Sequence, residues 1–104
     1  MSSLVSVVAS AADDPTVTAC FVVQACADPG IMPRVLELFA KRGLVPQRWH
    51  SVVAGPGGAC LTIDIRIASL GREAVDYVAR CMRGIAGVDT VLTSVTGAAP
   101  PPFE

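Results

Sequence analysis

The chain has 104 residues, of which 52% are hydrophobic and 16% charged, and its formal net charge is −1. That length holds one domain, and the apolar content supports a packed core rather than a disordered chain. The near-neutral balance, with no cluster of Lys or Arg, argues against a nucleic-acid-binding face, and no run approaches the roughly 18 apolar residues of a membrane-spanning helix.

Residues 1–15, ending in Asp13-Asp14-Pro15, read as a flexible leader. The leader has a short apolar stretch and an Ala-Ser-Ala ending, but no positive charge precedes them and it is shorter than an export signal. A cytoplasmic location is therefore expected, with reduced thiols. Cys20, Cys26, Cys60 and Cys81 show no Cys-x-x-Cys spacing and no His at ligand distance, which argues against a zinc site. They read as small buried hydrophobes.

Residues 16–26 are β-branched and apolar (Val17, Thr18, Phe21, Val22, Val23) and read as a buried strand. Residues 27–30 form a turn, in which Gly30 suits either a positive φ or a close ligand approach. Residues 31–42 place apolar side chains at 31, 35, 38 and 39 and again at 32 and 36, a helical stripe. Pro33 fits only the first turn of that helix, so the helix starts near Gly30 and stops at Gly43.

A second strand is expected over residues 45–54, at a sheet edge because Pro46 would break a central ladder. Gly55-Pro56-Gly57-Gly58 reads as a hairpin loop, without the Gly-x4-Gly-Lys-Ser/Thr pattern of a phosphate loop. Residues 60–67 alternate cleanly, with Leu61, Ile63, Ile65 and Ile67 on one face and Thr62, Asp64 and Arg66 on the other. Ser69 is the expected N-cap of a second helix running from Leu70 to about Arg83. A fourth strand covers residues 88–95, and residues 97–104, with three consecutive prolines, read as a flexible tail.

The order β-α-β-β-α-β specifies an α+β, ferredoxin-like sandwich. Its antiparallel sheet has strand order 4-1-3-2, with two helices on one face. That order puts the Pro46 strand at an edge, as its proline requires.

With these elements in place, the chain resembles an ACT domain over about residues 16–96. The resemblance is carried by the apolar first strand, Pro29-Gly30-Ile31-Met32, Val35-Leu36, Phe39 and Arg42-Gly43. Arg42-Gly43-Leu44, Ile67-Ala68-Ser69 and residues 85–91 are similar to the short regulatory subunits of acetohydroxyacid (acetolactate) synthase. The resemblance implies a non-catalytic regulatory protein of branched-chain amino-acid biosynthesis. It would work as a homodimer joined through edge strands, bind valine, leucine or isoleucine allosterically, and act on a large catalytic synthase subunit. It implies no cofactor. The family often carries Asp or Asn three residues before the glycine to hold the effector's amino group. That position is Ala27 here, and the nearest acid is Asp28. A free-standing module of the same kind, binding another metabolite or only another protein, is the alternative.

The candidate effector site is Asp28, Pro29, Gly30, Ile31 and Met32, where unpaired amides at a helix start suit a carboxylate. Asp28 either caps the helix or holds an effector amine. Val45, Gln47 and Trp49 are the candidate dimer contacts, and His50 shares their strand. No base accompanies a Ser or Cys nucleophile in the sequence, so no catalytic residues are assigned.

Overall fold

A computed structural model describes residues 17–96, so the expected leader and tail lie outside the described residues. Apolar alternation builds two long strands, β1 (Thr18–Cys26) and β3 (Cys60–Ala68), which pair antiparallel from Thr18↔Ala68 to Cys26↔Cys60. Helix α1 is Ile31–Ala40, β2 is Arg48–Ala54, α2 is Arg72–Arg83 and β4 is Val88–Thr96. The sheet order is β2-β3-β1-β4, antiparallel throughout, which is the ferredoxin-like arrangement expected of the sequence.

The inner face of the sheet supplies Ala19, Phe21, Val23, Leu61, Ile63, Ile65 and Ile67, all buried. Against them lie Ile31, Val35 and Phe39 of α1 and Val75, Val78, Ala79 and Met82 of α2. Phe39 meets Phe21 edge to face, with ring centroids 5.6 Å apart. Arg83 Nη2 donates to Val91 O at 2.8 Å and ties the end of α2 to β4. Gly43, at φ +70°, ends the first helical segment as expected, and Leu44 N–H donates to Phe39 O at 2.9 Å.

Several boundaries differ from expectation. Strand β2 begins at Arg48, so Val45 and Pro46 precede it. The strand does lie at the edge, although Pro46 is not inside it. Ser69 is not a helix cap. Its N–H donates to Val17 O at 2.9 Å, which prolongs the β1–β3 ladder, and its φ is +67°. Helix α2 starts three residues later with Gly71 as N-cap, and Leu70 is buried without being helical. Cys26 and Cys60 are exposed rather than buried, because strand parity sets them on the uncovered face. Cys20 and Cys81 are half-buried.

Backbone hydrogen bonds fix which groups remain free. Ala27 N–H donates to Ala59 O and Ser69 N–H to Val17 O, so the odd-numbered residues of β3 point their amides at β1. The even-numbered ones therefore point at β2 and bond Arg48, His50, Val52 and Ala54. The amides and carbonyls of Trp49, Ser51 and Val53 are left facing off the sheet edge. Within a single chain Ser51→Pro should thus cost less than about 1 kcal/mol, whereas Val52→Pro removes a ladder bond and should cost about 3 kcal/mol or more, both read by urea unfolding at protein concentrations low enough to keep the chain monomeric. Equal losses would contradict this register.

Candidate functional site

The corner between β1 and α1 collects Asp28, Pro29, Gly30, Ile31 and Met32 as expected, but most of its amides are already engaged. Asp28 N–H donates to Cys26 O at 2.8 Å and Ile31 N–H to Asp28 O at 3.0 Å. The Gly30 N–H donates to Asp28 Oδ1 at 2.8 Å. The chain's own carboxylate thus stands where an incoming one was expected. Gly30 has φ −80°, so it is not there for a left-handed backbone. A Cβ on it would meet Asp28 Oδ1 at 3.3 Å, a tight contact within the turn itself. Asp28 Oδ1 closes the turn onto Gly30 N–H, and no side chain caps α1 itself. Among the described residues, Met32 N–H meets no backbone acceptor ahead of the helix, and Pro33 has no N–H to offer.

The corner is closed on its far side by the start of β4. Cys26 N–H donates to Gly87 O at 2.9 Å. Gly87 has φ +96°, and a Cβ there would fall 3.0 Å from Ile31 Cδ1, so only glycine fits.

The open side of the corner is an apolar cleft of about 210 Å³, walled by Ala27, Asp28, Pro29, Met32, Val53 and Leu61. It continues through Pro29 and Met32 into a shallower groove with Pro33, Leu36 and Trp49. Leu36 is 46% exposed and Val53 59%. Val53 and Leu61 escaped the sequence reading because they look like ordinary strand residues. Their partnership becomes visible only with the register Val53↔Leu61. Leu36 left a signal, since it belongs to the second apolar stripe of α1, beyond the stripe that a core needs.

Of the expected dimer contacts, Trp49 is half-buried at the groove, Gln47 N–H bonds Arg66 O at 2.8 Å, and Val45 projects 81% exposed ahead of β2. His50 is exposed on the other face of the sheet, opposite Asp64. A separate cavity of about 300 Å³ lies between the helices and is lined by Leu38, Lys41, Arg42, Tyr77, Val78 and Cys81. In it the Arg42 guanidinium sits 4.7 Å above the Tyr77 ring. Among the described residues, no three His, Cys, Asp or Glu side chains gather as a metal site, and no helix is long and apolar enough to cross a membrane.

A family model described as "ACT-like domain" matches residues 11–98. No curated protein sequence matches the chain. Among solved structures, the ACT domain of GTP pyrophosphokinase from Chlorobium tepidum is similar, with TM-score 0.62 and 13% identity, covering 74% of this chain and 96% of that one. The C-terminal domain of the MgtC protein from Mycobacterium tuberculosis gives TM-score 0.65 at 10% identity, covering 81% and 92%. The ligand-free regulatory subunit of aspartate kinase from Thermus thermophilus gives TM-score 0.57 at 18% identity, covering 78% and 52%. At these identities the likeness is one of fold.

The brace at Gly30 has a measurable consequence. Asp28→Ala removes an exposed charge-assisted bond and should lower stability by about 1 kcal/mol. Amide exchange at Gly30 should accelerate while the β1–β3 ladder keeps its protection. Unchanged exchange at Gly30 would mean that the carboxylate does not hold the turn.

Proposed function

The chain belongs to the ACT-like domain family, and we propose that it is a non-catalytic regulatory module that binds an α-amino acid with an aliphatic side chain. Domains of this family are typically regulatory and ligand-binding. The observation that carries the proposal is the apolar cleft with the Asp28 carboxylate and the start of α1 in its wall.

The chemistry divides among three groups. Asp28 spends one oxygen on Gly30 N–H, and its second oxygen takes the ligand's ammonium group. Met32 N–H takes the ligand's carboxylate, helped by the positive end of α1. Val53, Leu61 and the Met32 side chain receive the aliphatic part. Charge-assisted bonds of this kind contribute about 1.5–3 kcal/mol each. With only two of them and a small apolar contact, affinity falls in the micromolar-to-millimolar range.

Valine, leucine and isoleucine are the proposed effectors, and a large catalytic subunit of acetohydroxyacid synthase is the proposed target. The similarity of Arg42-Gly43-Leu44 and of residues 85–91 to that enzyme's short regulatory subunits supports this assignment. A homodimer through the free β2 edge, with Val45, Gln47 and Trp49 near the seam, would set two clefts close to the subunit boundary. Ala27 favours a second reading, a module of the same build that binds a different metabolite, because the acid or amide usual at that position is missing.

Calorimetry with valine, leucine and isoleucine, joined to a pull-down with the large synthase subunit, tests the proposal. Binding heat is expected from the branched amino acids. It should weaken about tenfold in Asp28→Asn, which keeps a side-chain acceptor for Gly30 but loses the charge. The Ser51→Pro chain should sediment as a monomer where the parent is a dimer. Absence of both heat and partner would remove the proposal.

A further inference from the structure

Two thiols stand directly across from each other at one end of the central ladder. Cys26 is the last residue of β1 and Cys60 the first of β3, and their Cα atoms are register partners. Both are exposed and both are free. Their pair is of the non-hydrogen-bonded kind. The Cys26 N–H turns away from β3 to Gly87 O, and the next pair along, Ala27 with Ala59, makes the inter-strand bond at 2.9 Å. In such pairs the Cα atoms approach to about 4.5 Å, and side chains are closer than anywhere else in a sheet. Disulfides span Cα separations of about 4.4–6.8 Å, so the backbone is already within bridging distance.

We propose that Cys26 and Cys60 are a redox-responsive pair that closes a cross-strand disulfide when it meets a low-molecular-weight disulfide. In the reduced protein the sulfurs lean apart. Cys26 Sγ rests against Gly87 and Cys60 Sγ against Gly55, each so close that a Cβ on the glycine would come within 2.9 Å. Both side chains are exposed on the same uncovered face, so a turn about χ1 brings the two sulfurs toward each other.

The chemistry balances with one equivalent of oxidant. One cysteine thiolate attacks a sulfur of the small disulfide, a new S–S bond forms, and the first small thiolate leaves and takes up a proton. The second cysteine thiolate then attacks the protein-side sulfur of that mixed disulfide, and the second small thiol departs. Two electrons pass from the cysteine pair to the oxidant. The bridge ties β1 to β3 one residue before the turn that carries Asp28, and so acts on the same corner as the cleft.

The test is to incubate the folded protein with oxidised glutathione at roughly 1 mM, block remaining thiols, and map disulfides in a non-reducing digest. Intact mass is measured in parallel. The expected result is a Cys26–Cys60 bridge within one chain, at least about tenfold in excess over chains carrying glutathione on both residues. Cys26→Ser should stop at a single glutathione on Cys60, because no resolving thiol remains. The Cys20→Ala/Cys81→Ala chain should bridge like the parent, and if that variant fails to fold, the parent's digest decides alone. Separate glutathione adducts on both residues, bridges between chains, or unmodified Cys26 and Cys60 would each overturn the proposal. None of these outcomes depends on whether an amino acid binds.

Discussion

The stripe Ile31, Val35 and Phe39, pressed into the core against the inner face of the sheet, is the contact on which the rest of the structure depends. All three side chains are buried, and Phe39 is locked edge to face on Phe21 in the central strand. Because Ile31 is the first residue of α1, the stripe begins at the corner itself. Burying Ile31 fixes where the helix starts, how β1 must turn to reach it, and which way Met32 faces. The left-handed glycine at Gly87 completes the constraint by letting β4 close against Ile31. Losing a buried aromatic or branched side chain costs about 2–5 kcal/mol, which is comparable to a small domain's whole margin. The geometry of the cleft is therefore as firm as the core beneath it.

That constraint also explains the corner's chemistry. A helix start normally presents several unpaired donors. Here the turn is so tight that Asp28 supplies both its carboxylate and its carbonyl to the donors following it. Recognition of a ligand then cannot rest on a nest of amides. On the proposed reading it falls to the Met32 amide, the remaining Asp28 oxygen and apolar walls, a set that suits a zwitterion with an aliphatic tail better than a phosphate.

Much of the fold was legible in the sequence, because alternation in residues 60–67 and the helical stripe from Ile31 are strong, unambiguous periods. The edge position of β2 was also legible, although for a reason that the structure moves: Pro46 sits ahead of the strand rather than within it. The misjudged details were those in which tertiary contacts outweigh local preference. Ser69 has the chemistry of a cap, yet its backbone serves the ladder to Val17. Cys26 and Cys60 have the habits of buried residues, yet parity places them outside. At the site, the loop from Asp28 to Met32 could be picked out by its Pro-Gly turn. Its wall of Val53 and Leu61 could not, since that wall depends on the strand register and is distant in sequence. Nor does a sequence show that a turn's own carboxylate will consume its amides.

On the proposed function, a small amino acid occupies the cleft between the start of α1 and the β2–β3 hairpin. Amide chemical-shift mapping during titration with valine, leucine or isoleucine tests it most directly. The account predicts saturable shifts gathered at Ala27, Asp28, Met32, Val53 and Leu61. No shifts up to about 10 mM ligand, or shifts gathered instead around Leu38, Tyr77 and Cys81 between the helices, would contradict it.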